Sequence, residues 1–311
     1  MRTVLFYRDF RKFHGGHLKV WDNFNHVRAS PEFEPRIAFT DTSVWTDENP
    51  WLVARDYVVE SAAEVRPDVF FVAGRDWLRM DEHPAAGDEV PVINFVQHVR
   101  HADPQSNRYE FLTRKAIRVC VSEVVADAVR ATGIAEGPIF ANPNSVDLEE
   151  LSAVPGRERD IDVLVAGLKQ PELGAELSER LHGGGRRIEL LSELRPRSQY
   201  LNLIARARVT VFLPNEAEGF YLPPLEGMAV GTLVVCPEHD GEHAIYNPPH
   251  NCLRPAYAIN DVAAAAEAAL DLDAEAAESM VGAAHQTAEE HSLAAERRRF
   301  LDILHRVDEL W

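Results

Sequence analysis

The sequence predicts an α/β protein in which parallel strands alternate with helices. Short apolar runs rich in β-branched and aromatic residues recur along the chain, and longer polar or Ala-rich stretches separate them. The clearest unit spans residues 209–236, where the runs 209–213 and 232–236 are typical of buried strands. Between them, Pro223 suits the first turn of a helix and Gly231 ends that helix. A strand, a helix and a second strand in this order predict parallel pairing.

The same pattern predicts further strands and helices on both sides of this unit. In the first half we expect strands at 3–7, 36–40, 68–73, 91–97 and 117–121, and helices at 18–27, 52–65, 109–116 and after Ser122. In the second half we expect strands at 162–166 and 187–191, and helices at 199–207, 262–285 and 292–311. Residues 148–160 are charged and contain Pro and Gly, as linkers do. The sequence therefore predicts two domains, 1–153 and 154–311.

The charge of the chain argues against two classes of partner. Its 311 residues carry a formal net charge of −18, whereas nucleic-acid binding and docking on anionic lipid both need concentrated basic residues. No run of about 18 apolar residues occurs, so no transmembrane segment is expected. The acidic surface mainly favours solubility, and a cationic acceptor is the weaker alternative.

The cysteines and histidines predict neither disulfides nor a metal site. Cys120, Cys236 and Cys252 show no closely spaced pairing, and charged residues interrupt the N-terminal region too early for a signal peptide, so we expect a reducing cytoplasm. His239 and His243 have the spacing of metal ligands on one helix, but the Asp-Gly pair between them predicts a turn. No third ligand is indicated, and we expect no metal.

Two glutamates in the polar loop after residues 209–213 carry the candidate chemistry. Glu218 and Glu226 are separated by seven residues, and Gly219 directly follows the first. Because glycine lacks a Cβ, it lets the backbone approach a bulky ligand. Glu226 lies near the start of a helix, where anions bind and where its carboxylate can accept hydrogen bonds from a ribose diol. The alternative is that Glu226 complements the helix dipole and Glu218 is a solvated loop acid.

Residues 218–229, EGFYLPPLEGMA, resemble the E-x7-E signature of retaining, GT-B-fold nucleotide-sugar glycosyltransferases similar to glycosyltransferase family 4. The resemblance implies two doubly wound Rossmann-like domains that face a central cleft, with the acceptor on the N-terminal side and the nucleotide sugar on the C-terminal side. It implies transfer of a sugar from a nucleoside-diphosphate sugar to an acceptor hydroxyl, with retention at the anomeric carbon. It also implies that neither a metal nor another cofactor is needed.

The resemblance implies roles for residues of both domains. Glu218 would hold the sugar, Glu226 the ribose and Lys169 the leaving diphosphate, while His98 would lie close to the donor sugar. The expected catalytic residues are therefore His98, Lys169 and Glu218. The expected donor-binding residues combine a glycine loop, a loop near the base and the motif itself: Gly15, Gly16, Lys169, Leu194, Glu218, Gly219, Phe220, Tyr221, Leu222 and Glu226.

Several of these assignments have alternatives. His98 is alternatively a capping or core histidine, and the Gly-Gly pair at 15–16 is a common turn. The family usually has an arginine directly after the glycine that corresponds to Gly167, where this chain has Leu168. Arg100 and Arg195 are candidates to replace that arginine. In the segment that resembles the family's Pro-Asn-Gly-Val-Asp, serine stands in place of the glycine.

The function also has alternatives at this stage. A nucleotide-sugar epimerase has the same fold and needs no acceptor, and a non-catalytic descendant that binds nucleotide would keep part of the motif. For a transferase, the acceptor could be a saccharide, a lipid-linked sugar or a natural product. Trp45 and Trp51, in the loop 41–51, either line an acceptor site or belong to the core.

Overall fold

The computed structural model of the protein describes residues 1–154, 158–183 and 185–311, which form two compact units. Unit 1 consists of Met1–Asn144 and Ala294–Trp311, and unit 2 consists of Ser145–Leu293. The division lies earlier than the predicted boundary after residue 153, because the helix Leu148–Ser152 packs within unit 2. Residues 155–157 of the predicted linker lie outside the described residues.

Unit 1 is built around a sheet of seven parallel strands. The elements of its first segment are β1 Arg2–Arg8, α1 Gly15–Arg28, β2 Phe33–Phe39, β3 Val58–Val59, β4 Val69–Ala73, α2 Trp77–Met80, β5 Val92–Val96, β6 Ile117–Cys120, α3 Glu123–Ala131 and β7 Ile139–Ala141. The strands lie in the order β3-β2-β1-β4-β5-β6-β7. Strands β4 and β5 are buried along their whole length, as expected where other layers cover both faces of a parallel sheet.

The order of the strands creates a ligand-binding position in this sheet. From β1 the chain runs outward through β2 and β3, and it then returns to the other side of β1 to form β4. In open α/β sheets, ligands bind outside the carboxyl ends of the strands at such a reversal. The carboxyl ends of β1 and β4, with the loops that follow them, therefore form a candidate binding edge, which we call the unit 1 edge.

The predicted helix at 52–65 is wrong. The chain there forms two 3₁₀ segments, Pro50–Tyr57 and Ala62–Glu64, with the short strand β3 between them. The β-branched pair of β3 continues the sheet by pairing with β2, and this pairing overrides the helical spacing of the apolar residues. The helix predicted at 109–116 is likewise a shorter 3₁₀ segment, Tyr109–Thr113.

Unit 2 contains a sheet of four parallel strands within its described residues. Its elements are α4 Leu148–Ser152, β8 Ile161–Ala166, α5 Pro171–Leu181, β9 Ile188–Leu191, α6 Arg197–Arg206, β10 Ala207–Phe212, α7 Leu222–Ala229, β11 Leu233–Val235, α8 Ile259–Leu270 and α9 Ala274–Glu290. The strand order is β11-β10-β8-β9, so the direction of winding reverses between β8 and β10. The sequence-based prediction of two doubly wound α/β domains is thus confirmed for each unit.

The last part of the chain belongs to unit 1 and forms α10 Leu293–His305 and α11 Val307–Leu310. Phe300 is fully buried and lies edge-on to Phe71 of β4, with 6.1 Å between the ring centroids. Glu296 is also buried, and its Oε2 lies 2.6 Å from Nζ of the buried Lys19 in α1. Apolar packing and a buried ion pair therefore both attach this segment to unit 1.

The tryptophans are confined to one unit. All five lie in unit 1: Trp21, Trp45, Trp51, Trp77 and Trp311. The alternative placement of Trp51 in the core is the correct one, since this side chain is fully buried. The ring of Trp45 packs against Phe39 at 4.6 Å and carries the guanidinium of Arg55 at 3.4 Å from its centroid.

No helix within the described residues is long and apolar enough to cross a membrane. Cys120, Cys236 and Cys252 are all buried and form no disulfide. Burial raises the pKa of each thiol to about 12, so all three are protonated at neutral pH.

Candidate functional site

The candidate site in unit 2 forms where two neighbouring strands end. Strands β8 and β10 pair directly, and the loops that leave their carboxyl ends lead into helices α5 and α7. Both helices begin with proline in the first turn, as the sequence predicted for α7. The winding of the sheet reverses at this point, so the two loops border the crevice where such sheets bind ligands.

Lys169 and Glu218 meet at this crevice. Nζ of Lys169 lies 2.5 Å from Oε1 of Glu218, and the same oxygen accepts hydrogen bonds from the backbone N–H and the side-chain amide of Asn215, both at 3.0 Å. Glu218 is only 5% exposed, whereas the Lys169 side chain is 37% exposed. Within the described part of the chain, Oε2 of Glu218 accepts no hydrogen bond. The structure thus brings the two residues together and leaves one carboxylate oxygen available to a ligand hydroxyl.

A second loop fixes the backbone of Glu218. The N–H of Glu218 donates to the carbonyl of Asp240 at 2.7 Å, and the N–H of Asp240 donates to the carbonyl of Glu216 at 2.7 Å. A Cβ at Gly241 would lie 3.0 Å from the carbonyl oxygen of Glu218, so a side chain there would press on this backbone. The loop that contains Asp240 and Gly241 therefore positions the first glutamate of the motif.

Glu226 occupies a different environment. It is 4% exposed, its Oε1 accepts from Nη1 of Arg197 at 2.7 Å, and its Oε2 accepts from the hydroxyl of Tyr200 at 2.8 Å. Arg197 also binds Glu150 of α4, with Nε–Oε1 at 2.8 Å and Nη2–Oε2 at 2.7 Å. Both oxygens of Glu226 already have a donor, so a ribose would have to share them. Its role toward the ribose stays a prediction.

The pKa values of the partners follow from this arrangement. Burial alone would lower the pKa of the Arg197 guanidinium, but the carboxylates of Glu226 and Glu150 raise it above its usual value. Burial, and after it the Glu226 carboxylate, raises the pKa of the Tyr200 hydroxyl well above the usual value. Arg197 is therefore a permanent cation and Tyr200 a permanent hydrogen-bond donor at neutral pH.

Sequence reasoning missed Arg197, Tyr200 and Glu150. Arg197 and Tyr200 are three residues apart at the start of α6, a spacing that places two side chains on the same helix face. That spacing was the available signal, although it gives no indication that both side chains face Glu226. Glu150 lies in the segment predicted as a linker, which the structure shows to contain α4.

The rest of the motif forms the turn into α7. Gly219 directly follows Glu218, and Phe220 is buried with its ring 6.2 Å from the ring of His291. Tyr221 is buried just before the helix, and its ring lies 4.7 Å from Nζ of Lys169. Leu222 is the first residue of α7. Of these residues, Tyr221 contacts Lys169 directly and Gly219 adjoins Glu218 in the chain, while their roles toward a donor stay predictions.

Leu194 lies elsewhere in unit 2. It belongs to the loop between β9 and α6, and 73% of its surface is exposed. The neighbouring Arg195 is exposed as well and forms no ion pair with any residue that the structure describes. The contact of this loop with a base stays a prediction.

The predicted glycine loop and His98 lie in unit 1. Gly15 and Gly16 begin α1, and Nδ1 of His14 accepts the N–H of Gly16 at 3.1 Å. A Cβ at Gly16 would lie 2.7 Å from Oε1 of Gln97, so a larger residue there would require the Gln97 side chain to shift. Nδ1 of His98 accepts the N–H of Arg100 at 3.1 Å. His98 therefore caps the 3₁₀ segment that follows it, as its alternative assignment described.

The histidine pair in unit 2 does not form a metal site in the described part of the structure. The rings of His239 and His243 are stacked 6.1 Å apart, and Nδ1 of His243 accepts a hydrogen bond from Arg254 at 3.0 Å. Among residues 1–154, 158–183 and 185–311, no group of three His, Cys, Asp or Glu side chains is arranged to hold a metal ion.

Comparison with known proteins gives one family and many structural relatives. Residues 146–273 match the family model described as Glycosyl transferases group 1. This stretch contains Lys169, Glu218, Glu226 and Arg197. No curated protein sequence matches the chain.

The structural relatives share the fold over nearly the whole chain. HepE from Anabaena, solved in complex with UDP-glucose, is 11% identical, covers 98% of this chain and 100% of its own, and has a TM-score of 0.74. A glycosyltransferase from Rickettsia africae is 14% identical, with 98% of each chain covered and a TM-score of 0.73. Sucrose-phosphate synthase from Thermosynechococcus elongatus is 12% identical, covers 99% of this chain and 100% of its own, and has a TM-score of 0.71.

Proposed function

We propose that the chain, whose residues 146–273 match the group 1 glycosyltransferase family and whose fold is that of GT-B structures, transfers a sugar from a nucleoside-diphosphate sugar to an acceptor hydroxyl with retention at the anomeric carbon. UDP-sugars are the first donors to consider, because HepE was solved with UDP-glucose. We propose the cytoplasm as its location, in keeping with three buried, unpaired cysteines.

The observation that supports the proposal most is the Lys169–Glu218 pair at the reversal of the unit 2 sheet. The ammonium group supplies positive charge where a leaving diphosphate would gain negative charge. The carboxylate keeps one oxygen available to a sugar hydroxyl, while Asn215 and Lys169 orient the other.

The proposed step needs no enzyme nucleophile. The bond between the anomeric carbon and the diphosphate oxygen breaks, and both electrons leave with the nucleoside diphosphate. The acceptor oxygen forms its bond to the anomeric carbon on the same face of the sugar, and its proton passes to the departing phosphate oxygen. Lys169 stabilises the diphosphate and Glu218 orients the sugar, so we propose that neither a metal nor another cofactor takes part.

The function is tested by donor turnover with matched glutamate variants. Purified enzyme is incubated with a panel of UDP- and GDP-sugars, with and without saccharide acceptors, and the released nucleoside diphosphate is measured. Glu218→Gln and Lys169→Met should each lower kcat/KM by about 10²–10³-fold, as expected for groups that stabilise a transition state. Glu216→Gln is the control, because its exposed side chain lies two residues from Glu218.

The stereochemistry of the product tests the finer part of the proposal. The anomeric proton in the NMR spectrum of the first product should show the configuration of the donor. An inverted configuration would overturn the retaining mechanism and leave the transfer itself intact. Conversion of the donor to an epimeric nucleotide sugar without acceptor would show an epimerase instead.

A further inference from the structure

Three arginines from separate segments lie at the unit 1 edge and at the adjoining carboxyl end of β5. Arg75 follows β4, Arg100 lies in the 3₁₀ segment Val99–Ala102 after β5, and Arg108 precedes the segment Tyr109–Thr113. Strands β4 and β5 are neighbours, so their carboxyl ends bring the first two arginines to the same edge. Arg75 and Arg100 are exposed, and Arg108 is half-buried.

Gly74 brings Arg108 close to the turn that carries Arg75. Gly74 has a φ of 61°, a left-handed conformation that favours glycine, and it turns the chain directly after β4. A Cβ at this glycine would lie 3.9 Å from Nε of Arg108, so the guanidinium lies over the turn. The side-chain hydrogen bond of Arg108 goes to the neutral Asn107, with Nη1–Oδ1 at 3.2 Å.

The charges of these arginines are not neutralised within the described residues. None of the three has a carboxylate within 4.0 Å there, whereas nearby Asp9 and Asp76 are paired with Arg11 and Arg8 respectively. Burial, followed by the like charges of Arg100 and Arg75, lowers the pKa of the Arg108 guanidinium. In a chain of net charge −18, a group of arginines that is not paired with carboxylates indicates a binding site for an anion.

We propose that Arg75, Arg100 and Arg108 bind the phosphate group of a phosphorylated acceptor. Planar guanidinium groups match phosphate oxygens bidentately, and three of them suit a doubly charged phosphomonoester. The proposal rests on the proposed function, in which unit 2 holds the donor through Lys169 and Glu218, so a phosphate site in unit 1 is assigned to the other substrate. It replaces the earlier alternative of a cationic acceptor.

The site is tested by calorimetric binding to the full chain without any donor present. The probes are inorganic phosphate, glucose 6-phosphate, glucose and UDP. Inorganic phosphate or glucose 6-phosphate should bind the wild-type protein more tightly than glucose. Arg100→Gln and Arg108→Gln should each weaken that binding on the order of tenfold, while UDP binding stays unchanged. Arg66→Gln is the control, because Arg66 is exposed at the opposite, amino end of β4.

Two results would overturn the proposal. If neither phosphate nor glucose 6-phosphate binds better than glucose, the edge is no phosphate site. If the glutamine variants lose UDP affinity as strongly as phosphate affinity, the arginines serve the donor diphosphate instead. Lys169→Met should leave phosphate binding intact, so loss of the donor function and loss of this site are separate outcomes. Arg108→Lys, which keeps the charge, should retain part of the affinity.

Discussion

Arg197 shows what spacing along a chain can and cannot reveal about a site. The seven-residue interval and the strand-loop-helix pattern around Glu218 and Glu226 are visible in the linear chain, and the family resemblance that this pattern carries indicated Lys169. Arg197 is 29 residues from Glu226 and 47 from Glu150, and no local pattern connects them. Only the packing of α4, α6 and α7 brings the three together, so the ion-pair cluster could not be predicted.

Replacing Arg197 tests how much this ion-pair cluster contributes to the stability of unit 2. Arg197→Gln leaves two carboxylates close together without a cation, one of them buried, and should destabilise unit 2 by about 2–3 kcal/mol. Differential scanning calorimetry of the full chain should show a lower Tm for unit 2, and the donor KM should rise because Glu226 loses its orientation. Arg195→Gln, an exposed neighbour, is the control. Equal Tm values for the two variants would mean that the cluster does not stabilise the fold.

Among the elements, those with clear start and stop residues were predicted best. Helix α7 lies between strands β10 and β11 much as the positions of Pro223 and Gly231 indicated. The segment 52–65 failed because its apolar spacing fits a helix, while the pairing of Val58 and Val59 with β2 decided the outcome. Local signals therefore fix an element only where long-range pairing does not compete with them.

The C-terminal helix α10 depends on a buried charge cluster with α1. Oε2 of Glu296 lies 2.6 Å from Nζ of Lys19, and Oδ2 of Asp22 lies 2.7 Å from the same nitrogen. All three side chains are buried. Neutralisation of each charge therefore depends on the others, since a lone buried charge is strongly unfavourable.

Glu296→Ala should accordingly destabilise unit 1 by about 3 kcal/mol, because a cavity and a less well paired Lys19 remain. Urea unfolding followed by tryptophan fluorescence reports this directly, since all five tryptophans lie in unit 1. Asp302→Ala on the same helix removes an exposed carboxylate and should cost less than about 0.5 kcal/mol. A loss of similar size in both variants would contradict a stabilising role for the buried cluster.

At the scale of the whole molecule, the sum of charges gave less information than their distribution. The net charge of −18 correctly argued for a surface that is acidic on average, but it hid the arginines of the unit 1 edge. These residues are separated in sequence, and the carboxyl ends of β4 and β5 bring them together. The strand order, which sequence patterns predicted only as a fold class, is what places them.

The stability of unit 1 should fall as the pH falls below neutrality. Burial, followed by the positive charge of Arg108, lowers the pKa of His101 to about 3, and burial lowers that of His17 to about 3 as well. In the unfolded chain a histidine takes up a proton near pH 6.5, which these residues in the folded state do not do. Their contribution to stability is therefore complete above about pH 6.5 and is lost as the pH falls toward 3.

Urea unfolding at several pH values measures this dependence through tryptophan fluorescence. His101→Gln should reduce the slope of the unfolding free energy by about 1.4 kcal/mol per pH unit between about pH 6 and about pH 4. His250→Gln, an exposed position in unit 2, should leave the slope unchanged. If the two variants give the same slope as the wild type, His101 is not held neutral in the folded protein.

The return of Ala294–Trp311 to unit 1 also determines when each unit can be completed during synthesis. A ribosome makes the chain from its N-terminus, and domains generally fold as units once their residues have emerged. Unit 2 is contiguous, so all of its residues precede the final helices of unit 1 in the chain. Unit 1 cannot be completed before its final helices are made. Until then, Lys19 lacks its contact with Glu296 and Phe71 lacks its contact with Phe300. The newly made N-terminal segment therefore exposes surface that the finished unit 1 buries.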